Sequence, residues 1–554
     1  MCVLIGGLSI IFILDYSGYP FEPYHFWLVE YFLRTQDLAG SALLIALALA
    51  AYFAPTRSTA LAFVDAVSRH PWRTATITFV VLCIGTLYVE HNHPLAQDEY
   101  AALFQSRVFA AGKLTGQFPP DLIGHLIVPT YFNRFLYASF ETGQVASAYW
   151  PGFALLLTPF SLVHAPWACN PLLASLALVL IGRLAVRLTG APQSRGWAML
   201  LAIGSPGFGA MAITYFSMPA HLLFNLVFAW LLLERTPRRL LAAGTVGSYA
   251  LILHNPLPHT LFALPWLVSV ARGPDKGRNL LLLGAGYAVF ALPLGFGWPL
   301  LLSGIQGHAQ FGLFGAHAVD PAQHIAEYFW DWHVKLRSAI DLPSIFIFTE
   351  RTADLTRLWN WAVPGLPLLA AAGWWLGRRE REIRLLGLSL LVTLGGYMFV
   401  WFTQGNGWGA RYFYPAWGTL PVLAAVALAR VRADGFCARL PGYVASLAVL
   451  SLVFASALRA VQIRSYIDGE LAHRPPVLPD ERQIVFVHID RRGYTADLVQ
   501  NDPFLRDKVW FMASYGPEYD AELMQRRYPG ARLVTRDGRG ETYRLDSSPK
   551  GAGR

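Results

Sequence analysis

The stretch Thr74-Ala75-Thr76-Ile77-Thr78-Phe79-Val80-Val81-Leu82-Cys83-Ile84-Gly85-Thr86-Leu87-Tyr88-Val89 is apolar enough for a membrane helix. After Glu90 it runs into His91-Asn92-His93-Pro94-Leu95-Ala96-Gln97-Asp98-Glu99-Tyr100. Two adjacent carboxylates therefore lie just past the end of a membrane segment. A carboxylate there costs desolvation energy if it is even partly buried, so the pair needs a physical reason. An amphipathic run, Tyr100 to Leu114, follows. Tyr100, Leu103, Phe104, Val108 and Ala111 recur at helical spacing, while Gln105 and Lys113 fall on other faces. Such a helix lies in the interface plane, not across the bilayer.

The rest of the chain agrees with this membrane setting. Of its 554 residues 55% are hydrophobic and 14% charged, and apolar segments recur from end to end. That composition excludes a soluble enzyme with one anchor and predicts a polytopic α-helical membrane protein. Segments near 1–15, 38–54, 73–90, 168–188, 196–214, 216–233, 240–255, 258–271, 279–302, 360–377, 384–402, 412–429 and 440–458 predict about thirteen spans. Arginine and lysine mark alternate short loops: Arg57, Arg69 and Arg73; Arg183, Arg187 and Arg195; Arg235, Arg238 and Arg239; Arg272, Lys276 and Arg278; Arg378 to Arg384; Arg430 to Arg439. These loops are then cytoplasmic, and the net charge of +9 is a topology signal, not a nucleic-acid footprint. The expectation is a multi-pass protein of the inner (plasma) membrane. Its N-terminus is cytoplasmic and its C-terminus periplasmic or extracellular. Met1 to Leu14 lacks the basic start and cleavage site of a signal peptide. Cys2, Cys83, Cys169 and Cys437 show no disulfide or zinc spacing.

This topology leaves three sizeable segments outside: 91–167 with the acidic pair, 303–359 with many His, Trp, Asp and Arg residues, and the tail from 460 onward. Long loops in compact folds are more often functional than connecting. In the tail, Gln483 to Ile489, Lys508 to Met512 and Ala531 to Val534 read as strands, and Glu518 to Arg527 as a helix. That order predicts a small external α/β domain over 461–546, followed by a disordered tail at 547–554. Nothing in it matches a catalytic or nucleotide motif.

Asp98 and Glu99 can be read in two ways. One makes Asp98 the N-cap of the interfacial helix, with Glu99 complementing its dipole. The other makes them a site facing away from the cytoplasm, beside a second interfacial segment, Ala148-Tyr149-Trp150-Pro151-Gly152-Phe153 to Phe160. Arg411, in Gly405-Asn406-Gly407-Trp408-Gly409-Ala410-Arg411-Tyr412-Phe413-Tyr414-Pro415, stands at an outer span end where the orientation rule predicts no cation. A guanidinium near a helix N-terminus there can bind a phosphate bidentately, or can snorkel onto local carbonyls. His221, His254 and His259 lie at outer span ends, as phosphate donors or as satisfied interfacial histidines. His91, His93 and Asp98 have the look of metal ligands, but no spacing fixes a further ligand, so no metal site is assigned.

Together these features resemble the GT-C superfamily of polytopic glycosyltransferases. The chain is most similar to bacterial relatives of protein O-mannosyltransferases and of the aminoarabinose transferase that modifies lipid A. Four patterns carry the resemblance over roughly 73–460. They are Gln97-Asp98-Glu99-Tyr100 running to Ala110-Ala111-Gly112-Lys113-Leu114; Tyr149-Trp150-Pro151-Gly152-Phe153; Gly204-Ser205-Pro206 with Tyr215-Phe216-Ser217; and Gly409-Ala410-Arg411-Tyr412-Phe413-Tyr414-Pro415. The family usually has one span before its acidic loop. Here there are three, so 1–72 holds extra N-terminal spans that preserve sidedness, and 73–460 is the catalytic module.

The resemblance implies transfer of a sugar, hexosyl or pentosyl, from a polyprenyl-phosphate donor to a protein, lipid or glycan acceptor on the outer face. Asp98 would then be the general base and Glu99 its helper. Arg411, with His221, would bind the donor phosphate. Tyr100, Tyr149, Tyr412, His254 and His259 would line the substrate pocket. No cofactor is required by this logic, because arginine can neutralise a phosphate leaving group. A transporter or flippase is the rival reading. It would favour ionisable residues in mid-membrane and a repeat of spans, whereas here such residues cluster at span ends. A non-catalytic assembly or sensing protein is a second rival.

Overall fold

The computed structural model describes all residues except 17–25, 54–56, 308–339, 341, 432–438, 491–493 and 546–554. Most of the expected outer segment 303–359 and the tail 547–554 lie outside the described residues. Helix forms in every apolar segment named above. Among the described residues, four helical runs are long and apolar enough to cross a membrane: Leu28–Phe53, Pro166–Thr189, Lys276–Ile305 and Leu440–Leu471. A fifth is the pair Arg411–Trp417 and Thr419–Arg430, if the 48° bend between them lies within one span.

Two of these runs continue beyond the ends expected from hydropathy. The second begins at Leu28, not 38, and the last continues to Leu471, not 458. Asp37 and Arg459 therefore lie inside continuous helices, and ionisable residues are not confined to span ends. Hydropathy missed them because each cancels the other's charge, with Arg459 Nη2 3.0 Å from Asp37 Oδ1. The segment 196–214 breaks instead. Ser205 is extended ahead of Pro206, which opens the helix Pro206–Ala212 after Ser194–Ile203 has ended. A proline fits that first position because its missing N–H had no helical partner to lose.

The described residues form two compact units. The first takes in Met1–Asn92, Trp167–Phe296 and Trp332–Ile463, and holds nearly all the apolar helices. Small residues bring its backbones close together. A Cβ added to Gly244, in Pro237–Leu251, would lie 2.1 Å from the Leu283 carbonyl oxygen, in Lys276–Ala291. Such contact replaces the hydrophobic driving force that lipid does not supply between helices.

The second unit comprises His93–Pro166, Gly297–Asp331 and Arg464–Arg554. After the helix Gln97–Ala110, strands β1 (Gly116–Gln117), β2 (Leu136–Ala138) and β3 (Gln144–Ser147) form an antiparallel sheet in the order β1-β3-β2. In the tail, β4 (Gln483–His488), β5 (Val509–Ser514), β6 (Arg532–Asp537) and β7 (Gly540–Arg544) form a second sheet, ordered β5-β4-β7-β6. β4 and β5 are parallel and the other pairs antiparallel, with the helix Pro517–Arg527 following β5. The tail's sheet shares one hydrophobic core with the acidic loop. Tyr100, Phe104, Phe118, Ile123 and Val145 pack with Ile484, Phe486, Met512, Leu523 and Tyr543. The helix that carries Asp98 is thus anchored by the C-terminal sheet.

Candidate functional site

In the second unit the helix that carries Asp98 starts at Gln97, and its N-cap is Ala96, not Asp98. The N-cap expectation for Asp98 fails by two residues, since Asp98 is already the second helical residue. Glu99, the third, reaches back. Its Oε2 accepts the Leu95 and Ala96 N–H groups at 3.0 and 3.2 Å, and the residue is 1% exposed. This is the acid half of a capping box, the normal reach of a glutamate at that position. Asp98 is left half-buried and takes a hydrogen bond from the Tyr149 hydroxyl at Oδ1.

Tyr149 is held in turn by the end of β3. Its N–H donates to Ser147 Oγ at 3.2 Å, and the Ser147 N–H donates to Gln105 Oε1 at 3.0 Å. Gln105, fully buried on the same helix as Asp98, also donates to the Leu114 carbonyl at 2.9 Å. One amide therefore ties the helix Gln97–Ala110 and the chain that follows it to β3. In the sequence Gln105 is a polar residue off the apolar face, and no local pattern distinguishes it from a solvated one. Tyr100 points the other way. Its hydroxyl donates to the Asn501 carbonyl at 2.7 Å, and burial holds the phenol above its ordinary pKa range. It braces the loop against the tail.

In the first unit Arg411 begins a 3-10 turn, Arg411–Phe413, ahead of the helix Tyr414–Trp417. It is 6% exposed, and its guanidinium lies 4.3 Å from the centre of the Phe216 ring. Its Nη2 donates to the Gln404 carbonyl, and its backbone N–H donates to Gln404 Oε1 at 2.9 Å. Gly407 and Gly409 in the preceding loop have φ of +138° and +58°, values that side chains rarely adopt. The loop is nevertheless pinned. Gln404 Nε2 donates to the Gly409 carbonyl at 2.7 Å, Arg357 Nη2 to the Gly407 carbonyl at 3.0 Å, and the Trp408 indole to Glu90. Tyr412 stacks on Tyr397 at 4.9 Å and donates to the Thr403 carbonyl at 2.8 Å.

The histidines separate. His259 is braced on both nitrogens, by Asn225 Oδ1 at 2.8 Å and the Tyr287 hydroxyl at 2.7 Å. His221 is wholly buried, and neither ring nitrogen has a hydrogen-bond partner among the described residues. His254 is half-buried in the turn before Leu257–Ala271. Among the described residues no group of three or more His, Cys, Asp and Glu side chains is placed to hold a metal ion. Sequence reasoning missed Arg357, Glu90 and Asp37. The available signal was an acid or a base beside apolar segments with no loop to account for it.

No family model matches the chain, and no curated relative does. Among solved structures it is similar to ArnT from Cupriavidus metallidurans bound to undecaprenyl phosphate, at a TM-score of 0.51 and 15% identity over 87% of this chain and 100% of that one. The apo structure of the same protein matches at 0.50 and 13%, over 85% and 97%. The chain therefore shares its fold with these ArnT structures.

Proposed function

We propose that this protein is a glycosyltransferase that moves a sugar from a polyprenyl-phosphate donor to an acceptor on the outer face of the membrane. The observation that carries the reading is the half-buried carboxylate of Asp98, which accepts from the Tyr149 hydroxyl in the first turn of its helix, in a chain that shares its fold with ArnT. Undecaprenyl phosphate bound to the similar ArnT structure supports the donor class. In the reaction Asp98 takes the proton of an acceptor hydroxyl as its oxygen attacks the anomeric carbon from the face opposite the phosphate. The bond from that carbon to the phosphate oxygen breaks, and polyprenyl phosphate leaves with the electron pair. Arg411 and, less directly, His221 meet the charge that develops on it. Glu99 keeps Asp98 in place from the turn, Tyr412 shapes the donor pocket, and no metal enters the scheme. Asp37 and Arg459 neutralise each other, so they are not the lone intramembrane charges of a transport path.

The test is Asp98→Asn in membranes supplied with radiolabelled polyprenyl-phosphate sugars. Loss of a positioned base lowers transfer by about 10²–10⁴-fold. Transfer at the wild-type rate would remove Asp98 from the mechanism. If no such donor supports transfer by the intact protein, the transferase reading itself fails.

A further inference from the structure

The N-terminal helices carry a buried charge that the transfer scheme leaves unused. Asp37 ends a π-helical turn, Leu33–Asp37, within the helical run Leu28–Phe53, and its side chain has no solvent exposure. π-turns inside helices are frequent at functional sites. Three groups face the carboxylate. Arg459 Nη2 is 3.0 Å from Oδ1, the Trp361 indole N–H donates to Oδ1 at 2.7 Å, and Arg357 Nε is 3.4 Å from Oδ2. Arg459 has other anchors, donating to the Gln36 carbonyl at 2.9 Å and the Asn360 carbonyl at 3.1 Å. Arg357 reaches elsewhere, to the Gly407 carbonyl at 3.0 Å. Phe32 lies between these parts, with Arg357 5.3 Å above its ring and Trp408 edge-on at 5.8 Å.

Stability alone is a poor reason for such a cluster. Replacing a buried ionic set with apolar residues of similar volume is often neutral or stabilising. What charge adds is direction, and here it runs from Asp37 through Arg357 to the loop that precedes Arg411. We propose that Asp37 is a positioning residue for Arg411. Through Arg357 it fixes the Gly405–Gly409 loop, and the N-terminal helices thereby become part of the donor site. This rests on Arg411 being the cation of that site.

The test is equilibrium binding of undecaprenyl phosphate to the full-length protein in nanodiscs. The double variant Asp37→Asn with Arg459→Gln removes opposite charges together but leaves Arg357 facing a neutral amide, so its thermal midpoint is measured alongside its binding. A second variant, Arg357→Met, leaves the Asp37–Arg459 pair intact and keeps an apolar stem against Phe32. Each is expected to weaken binding about tenfold, with a thermal midpoint near wild type. In an Arg411→Gln background neither should weaken binding further, because the coupling passes through Arg411. Additive losses in that background mean a general structural role and overturn the inference. So does wild-type binding by both variants when Arg411→Gln alone binds weakly. Wild-type binding by Arg411→Gln overturns the role of Arg411 and this inference with it.

Discussion

The acidic pair can be separated experimentally, because Glu99 and Asp98 carry similar groups on different tasks. Glu99 Oε2 accepts two N–H groups, those of Leu95 and Ala96, which are 4% and 8% exposed. Glu99→Ala strands both donors. A buried donor left unpaired costs about 1–3 kcal/mol, so the pair costs roughly 2–4 kcal/mol once some water reaches the turn. Glu99→Gln keeps a carbonyl oxygen at the same place and loses only the charge assistance, about 1 kcal/mol. Its transfer rate per folded molecule should stay within about threefold of wild type, equivalent to roughly 0.65 kcal/mol in the barrier. Asp98→Asn should do the reverse, keeping the fold within about 0.5 kcal/mol while losing the reaction. The assay pairs thermal unfolding of purified full-length protein with initial rates of sugar transfer from polyprenyl-phosphate donors. If Glu99→Gln unfolds like wild type but abolishes transfer, Glu99 acts on the substrate and the capping account is wrong.

Two further outcomes follow from the first unit. In Gly407→Ala the new methyl would meet the Phe216 ring and Arg411 Cδ at 3.4 and 3.5 Å, so space is adequate and the penalty is conformational, about 1–3 kcal/mol at φ of +138°. Undecaprenyl phosphate binding should weaken by about tenfold with little loss of folded protein, and unchanged affinity would separate the loop from the donor. Burial, with Asp354 beside it, pushes the Glu350 carboxyl up to about 7, against the lowering effects of the Tyr16 hydrogen bond at 2.6 Å and of Arg351 and Arg357. A raised folded pKa stabilises fully below the unfolded value, and that contribution is lost as pH rises through about 7. Thermal midpoints should therefore fall across this window, and Glu350→Gln should flatten the fall; an unchanged slope in the variant would refute the assignment.

Membrane character was legible because hydropathy is summed over many residues, and helix forms in every segment it marked. Helix ends were less legible. Asp37 and Arg459 look like boundaries when each is read alone, and only their pairing makes the helices continuous. Strand β7 was missed because Gly540-Glu541-Thr542-Tyr543-Arg544 has a single large apolar side chain. Its place between β4 and β6 comes from pairing on both edges. The hydrogen bonding of the acidic pair was not legible, because it depends on where the helix starts. With Asp98 taken as N-cap, Glu99 had no backbone to reach. With Ala96 as N-cap, Glu99 stands at the third helical position, and its bonds follow.

The glycines before Arg411 show why composition alone misleads about a site. Gly405, Gly407 and Gly409 would suggest a mobile loop, yet three successive residues of it are fastened by side chains. Arg357 holds Gly407, Glu90 and Phe32 hold Trp408, and Gln404 holds Gly409. The glycines supply positive φ, at +62°, +138° and +58°, and not mobility. A cation stabilises developing charge best when it need not reorganise as that charge appears. A backbone bent into angles open mainly to glycine, then locked by buried side chains, meets that need. Substitutions among the locking residues should therefore be felt first in donor affinity, and only later in whether the chain folds.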